Sequence, residues 1–484
     1  MTVPIVPGFH PDPSICRVGD TYYLANSSFE YVPGVPIRRS TDLVSWELAG
    51  HALTRPSQLP PSEGAANTGI YAPTLRHHDG RFHVVTTNIL EAHRGQLIVT
   101  AEDPAGPWSD PVHVRGTAGI DPDLCWDDAG GCHLTWASFR PDLPGIASVP
   151  IDPATGAMLA EPRLLWNGTG LAAPEGPHLY RVDGWWYLLL AEGGTERGHA
   201  VTIARARTIE GPYEPGPANP ILTHRSTTHR VQNTGHGDLV ECADGSWALV
   251  YLGVRPRGKT PQFHVNGRET FLAGVDWVDG WPVVDEHRFP VTPADNSFTD
   301  TFPTAETHPR WVAPGAAPRT HWTAPGELVL TRALLTRALD EYWTAVARLD
   351  VSLGTAAFVV RIDDRHWYGL TADGATVTAT VAIGPVVQAV TTVAAGPVVA
   401  LRIRALEPPL SGPFHEAAEP DLVELSVLRD DDRAEVLGTF DGRYLSTEVA
   451  AGFTGRMIGV EVRGGSVVLR EFRYSAERPG SATG

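Results

Sequence analysis

Five times in the first 290 residues the chain returns to one pattern, and that repetition limits its fold more than any other feature. Each repeat opens on a proline or acidic segment: HPDPSI (10–15), YAPTL (71–75), IDPDL (120–124), APEGPHLY (173–180) and HGDLV (236–240). A tight turn and a β-rich run follow: GDTYYLANS, DGRFHVVTT, DAGGCHLTWAS, DGWWYLLLAE and DGSWALVYLG. Asp-Gly and Gly-Asp pairs suit hairpins, and the aromatic and β-branched runs suit strands. Most repeats close on a polar turn beside an aromatic, as in STDLVSWE or IEGPYEPG; IDPATGAMLAEP in the third does not. Openings recur roughly every 50 to 60 residues, a blade-like period. Long amphipathic helical patterns are missing from this region. The expected architecture is a five-bladed β-propeller over residues 1–292. An all-β sandwich is the alternative, but it leaves five echoes unexplained.

The rhythm breaks at RFPVTPADNSFTDTFPTAETHPRW, a boundary rich in Pro, Thr and Asp. Beyond it, short alternating runs such as YWTAVARLDVS, AAFVVRID and VVALRIRAL predict a β-sandwich of concanavalin A-like or jelly-roll type over 293–484. PPLSGPFHEAAEPD (408–421) reads as an exposed loop. The fold class is therefore all-β with two domains, as the length of 484 residues also suggests.

A net charge of -18 disfavours nucleic acid and anionic membranes as partners, whereas a neutral sugar incurs no repulsion. The N-terminal MTVPIVPGFHPDPS shows no signal-peptide pattern, and no apolar run reaches the roughly 18 to 20 residues of a membrane span, so a cytoplasmic location is expected. Cys16, Cys125, Cys132 and Cys242 lack metal-ligand spacing and read as buried free thiols, with a Cys125–Cys132 hairpin bridge as the alternative. His10 with Asp12, and the His77-His78 pair, have no third ligand at zinc spacing. Self-association is left open.

Asp12, Asp121 and Glu175 sit at matched places in three repeats, at or just before a blade's first strand. First strands line a propeller's channel, so these carboxylates should converge at one end of the axis and perturb each other's titration. Hydrolysis of a glycosidic bond needs such a set: one group to protonate the leaving oxygen, another to activate water. A single acidic residue beside proline is more often a turn former. Three at matched positions point to function.

In these same residues the chain resembles glycoside hydrolase family 43. GFHPDPSI, SSFEYVPGVPIRRSTDLVSW, GIYAPTLR, GIDPDL, PEGPHLY, AEGGT, GHGDLVE, LGVRP and GRETFLAGVDWVDGWPVV occur in order. The likeness is to β-xylosidase and α-L-arabinofuranosidase members with a C-terminal sandwich. It implies that Asp12 is the general base, Glu175 the general acid and Asp121 the residue that orients that acid and raises its pKa. It also implies substrate contacts from Phe29, Tyr71, Thr195, His236 and Arg268, with Phe453 of AAGFTGRMIGV reaching the rim from the sandwich. No cofactor is required; a structural calcium ion on the axis near His236 is optional. The sequence departs from the family pattern at Tyr71, at Ile120 and in the run KTPQFHVN (259–266), which bears on substrate identity more than on reaction type.

The leading expectation is an inverting, exo-acting β-xylosidase acting on xylo-oligosaccharides. An α-L-arabinofuranosidase, or an enzyme with both activities, comes second. A non-catalytic carbohydrate-binding propeller and a retaining fructosidase-type enzyme, the latter prompted by Glu241-Cys242, come behind these.

Overall fold

In the computed structural model, residues 3–258, 260–409, 420–429 and 433–477 are described. Most of the loop expected at 408–421 (residues 410–419), and Lys259 of KTPQFHVN, lie outside them. The chain is all-β. Five antiparallel sheets, four of four strands and the third of five, succeed one another up to Asp285. Their first strands are Ser14–Val18, Thr74–His78, Gly119–Trp126, Glu175–Val182 and Gln232–Glu241. These touch in cyclic order, the fifth packing back against the first.

The packing between sheets follows the same cycle. One apolar cluster fills each gap, and the fifth, with Ile15, Leu24, Val240 and Val250, joins the last sheet to the first. The strand Trp185–Glu192 shows why its sequence is apolar on both faces. Trp186, Leu188 and Leu190 enter the cluster shared with the third sheet, while Tyr187 and Leu189 enter the one shared with the fifth. Side chains alternate across a strand, so burying both faces requires an unbroken apolar run. The N-terminal segment helps close the ring: Ile5 donates to the Thr270 carbonyl at 2.9 Å, and the Gly8 amide to Glu269 Oε1 at 2.8 Å.

The alternation also corrects the hairpin-bridge alternative. Cys125 is opposite His133 and Cys132 opposite Trp126, so the two sulfurs fall on opposite faces, and all four cysteines are free thiols. Cys132 is in the cluster shared with the second sheet, whereas Cys125 packs toward the fourth.

Beyond Asp285 two larger sheets, of eight and six strands, share a single core. In Trp343–Asp350, alternate residues Trp343, Ala345, Ala347 and Leu349 are buried in it. A short ladder, Tyr31–Val32 with Ala313–Pro314, ties this part to the segment that links Thr21–Ala25 to Gly34–Ser40 in the first sheet. A further cluster of Phe9, Phe29, Tyr31, Leu335, Val359 and Met457 packs between them. Among the described residues no helix is long and apolar enough to cross a membrane.

Candidate active site

The acidic residues reach the hub because the innermost strands are distorted where they begin. Asp12, Asp121, Gly176 and His236 all have left-handed backbone, with φ of 51°, 55°, 56° and 45°. The ladders skip register at Ile120/Asp123, Glu175/His178 and Gly235/Asp238. Such bulges re-aim side chains at strand ends, and non-glycine residues in this region store strain that clusters at functional sites. The matched-position expectation is refined here. Gly176, not Glu175, takes the left-handed place that Asp12 and Asp121 hold, and Glu175 enters one residue earlier. A Cβ on Gly176 would lie 2.8 Å from His236 Nε2, so the close approach of these two strands requires glycine.

Around this hub one small pocket, about 70 Å³, is lined by Asp12, Phe29, Tyr71, Asp121, Glu175, Thr195, His236, Arg268 and Phe453, with Ala72 and Ile120. All nine residues named from the sequence thus meet in one place. Arg268 organises it. Its Nη1 donates to Asp12 Oδ1 at 3.0 Å and to Thr195 Oγ1 at 3.2 Å, and its Nη2 to the Phe453 carbonyl at 3.3 Å. The guanidinium carbon is 5.6 Å from the ring centres of both Phe29 and Phe453. Those two rings stack at 5.6 Å, and Tyr71 packs on Phe29 at 5.1 Å.

Phe453 comes from the part of the chain beyond Asp285, and its setting explains the unusual run before GRET. His264 Nδ1 meets Glu448 at 2.7 Å, the Val265 carbonyl accepts from the Arg456 amide, and Asn266 donates to the Asp340 carbonyl. The first two contacts dock the loop carrying Phe453, and the third fastens the same run at Asp340. Asn67 completes the attachment: its Oδ1 accepts from the Phe453 amide at 2.7 Å and its carbonyl from the Tyr71 hydroxyl at 2.9 Å. Neither Asn67 nor Ser27, which donates to Asp12 Oδ2 at 2.5 Å, was singled out in the sequence. Ser27 is the first residue of the SSFE motif and had a signal there; Asn67 had none.

Burial pushes all three carboxylates the same way, yet their titration moves in opposite directions. Burial pushes Asp12 upward, but Arg268, then His236 and the Ser27 hydrogen bond, outweigh it and hold Asp12 below its ordinary value. Glu175 rises to about 7, first through burial and then through the Asp12 charge, against the pull of Arg268. Asp121 is pushed well up by burial, Glu175 and Asp12, although the Gly176 amide donates to its Oδ2 at 3.2 Å. Asp121 and Glu175 therefore behave as a pair that retains a proton near neutrality. His236, 3.5 Å from Asp12 Oδ1, is lowered to about 4 by burial and is neutral.

Ligand atoms of Asp121, Glu175 and His236 lie within 4.8 Å of one another. That donor set is a poor calcium cage: it offers one nitrogen and two carboxylates, whereas calcium takes six to eight oxygens.

Residues 1–282 match the family described as Glycosyl hydrolases family 43. The chain belongs to that family. It is a glycoside hydrolase. A non-reducing end α-L-arabinofuranosidase of Bacteroides ovatus is 36% identical, over 95% of this chain and 91% of its own length. A xylosidase/arabinosidase of Butyrivibrio fibrisolvens is 45% identical over 58% of this chain and 56% of its own. Among solved structures, a xylan β-1,4-xylosidase from Bacillus halodurans superposes with a TM-score of 0.87 at 28% identity, covering 98% of this chain and 100% of that one.

Proposed function

We propose that this family 43 enzyme is an inverting, exo-acting pentosidase, first of all a β-xylosidase releasing xylose from the non-reducing ends of xylo-oligosaccharides. In this reading the ring of sheets is a five-bladed propeller over residues 1–292, and the two larger sheets are a β-sandwich over 293–484. The observation that carries it is the opposite titration of Asp12 and Glu175 in one aromatic-walled pocket. Asp12, ionised and clamped by Arg268 and Ser27, takes a proton from water as that water attacks the anomeric carbon. Glu175 gives its proton to the departing oxygen as the glycosidic bond breaks. Asp121 keeps that proton on the pair near neutral pH. Solvent then deprotonates Asp12 and reprotonates Glu175. Inversion requires room for water, a separation of roughly 6.5 to 9.5 Å between base and acid. Phe29, Tyr71 and Phe453 wall the sugar, while Thr195, His236 and Arg268 supply polar contacts. No step passes through a metal; a calcium ion would be structural and held largely through water.

A second reading, α-L-arabinofuranosidase alone or alongside the first, is favoured by the near-full-length match to the Bacteroides ovatus arabinofuranosidase. Turnover of the nitrophenyl β-xyloside and α-L-arabinofuranoside decides between them; the xyloside should be the better substrate, and negligible turnover of it removes the first reading. Proton NMR of the first-formed sugar should show the inverted anomer. Net retention would contradict the assignment of Asp12 as base.

A further inference from the structure

Behind Asp12, away from the sugar pocket, two buried arginines lie together without a counter-charge. Arg38 and His51 come from adjacent strands of the first sheet, His10 from the segment leading to Asp12, and Arg337 from the strand Leu334–Arg337. All four are at least nine-tenths buried. Arg38 Nη2 donates to His10 Nε2 at 2.7 Å, and His10 Nδ1 donates to the Pro7 carbonyl at 2.8 Å. That pattern fixes His10 as a neutral ring with its proton on Nδ1. Arg337 Nε donates to the Phe9 carbonyl at 2.8 Å. Arg38 Nη1, Arg337 Nη2 and His51 Nε2 are buried and have no partner, as is the nearby Tyr31 hydroxyl.

Among the described residues the other three buried arginines each face a carboxylate: Arg268 with Asp12, Arg361 with Glu461, Arg456 with Asp421. Arg38 and Arg337 instead reach the adjoining residues His10 and Phe9, close enough for Arg337 to repel Arg38, and no carboxylate among the described residues acts on either. Burial and this mutual repulsion lower Arg38 to about 9; burial lowers Arg337 to about 10, and His51 to about 3. At neutral pH both guanidiniums stay charged while both imidazoles are neutral. An interior holding two uncompensated cations and several unpaired donors is costly unless an anion completes it.

We propose that Arg38 and Arg337, with His51, hold a small monovalent inorganic anion, a halide, between the first sheet and the sandwich. Two guanidinium groups with free N–H donors match a spherical acceptor, and a weakly hydrated monovalent ion enters a buried site at the lowest desolvation cost. The ion would bridge the two halves of the molecule through Arg337. It would also brace His10, two residues from the proposed base, without touching the sugar.

The test uses the intact protein in sodium gluconate, titrated with sodium chloride or bromide at constant ionic strength. The melting temperature should rise saturably, by roughly 3 °C or more, as expected of a ligand that binds only the folded state. Crystals grown in bromide should show anomalous density within hydrogen-bonding distance of Arg38 and Arg337. Arg38→Met should lose the halide response, and a response retained in that variant would assign it to the surface and overturn the proposal. If that variant does not fold, bromide diffraction on the unmodified protein decides. Equal melting in gluconate and chloride, or water density in place of bromide, overturns the proposal.

Discussion

Both ends of the hub gather carboxylates and treat them in opposite ways. At the sugar-pocket end, Asp121 and Glu175 face each other and Asp12 takes the available cation, so the pair keeps a proton. Further along the same five strands, Arg76 meets Asp123 at 2.9 Å and Asp238 at 2.7 Å. Ser14, Tyr180 and the Ile15 amide also donate to Asp238, at 2.7, 2.5 and 3.0 Å, while the Leu179 amide donates to Asp123 at 2.9 Å. Burial alone would raise Asp238, but Arg76, then His178, pull it well below its ordinary value. Beyond this plug lies a wider recess of about 410 Å³ lined by Cys16, Arg17, Trp126 and Arg181. Each of the five strands contributes to the plug, which locks the ring. Burial by itself therefore does not make a carboxylate reactive; the sign of its nearest neighbour does.

The largest effect should come from Glu175→Gln. Activity on substrates with poor leaving groups should fall by roughly 10²- to 10⁴-fold, and far less on nitrophenyl glycosides, which depart without a proton. The same change should stabilise the fold, with a definite pH dependence. Glu175 is raised from 4.5 to about 7 on folding, so native stability is undiminished below pH 4.5 and is progressively lost as pH rises through about 7. Thermal melts should show the variant gaining on the parent above pH 7 and not at pH 4. Equal gains at both pH values would show that Glu175 is not held protonated.

At the other end Arg76→Met should behave in reverse, costing about 3–5 kcal/mol by stranding Asp123 and Asp238. Asp238 is depressed on folding, so the stability it contributes is present above its unfolded value of 3.8 and lost as pH falls below it. Urea melts should show the deficit at neutral pH and a smaller one in acid. If the alkaline limb of the activity profile moved as well, the two ends would not be independent.

Asp121→Asn probes the pocket pair from its other member. The rise of Glu175 to about 7 is accounted for by burial and Asp12; the role proposed for Asp121 adds to it, so without a second carboxyl to share the proton the alkaline limb of kcat/KM should move to lower pH. An unmoved limb would assign the raised value of Glu175 to burial and Asp12 alone.

The difference between the two ends was only partly legible in the sequence. Five openings and five β-rich runs announced the ring of sheets, because turn chemistry and two-sided apolar runs are local properties. The carboxylates at the pocket stood out because Asp-Pro motifs and family-like segments carry them. The one-residue offset of Glu175 did not, since it depends on which residue takes the left-handed bulge, and Gly176 competes for that place. The plug was also missed. Arg76 follows YAPTL as one more polar residue on a strand, and only closure of the ring sets it against Asp123 and Asp238, which are 47 and 162 positions away. Asn67 was missed for the same reason: its partner Phe453 is 386 residues distant.

Phe453 is the smallest perturbation and the one that isolates the contribution of the two larger sheets. It is 37% exposed, stacks on Phe29, and offers its carbonyl to Arg268 through the backbone, which a side-chain truncation leaves in place. Phe453→Ala should therefore remove aromatic contact with the sugar and leave the carboxylates as they are. An aromatic contact of this kind contributes about 0.5–1.5 kcal/mol, so KM should rise a few-fold while kcat and both limbs of the pH profile stay put. A fall in kcat with unchanged KM would mean that the ring holds Arg268, and through it Asp12, in position. The two larger sheets would then act on the base rather than on the sugar.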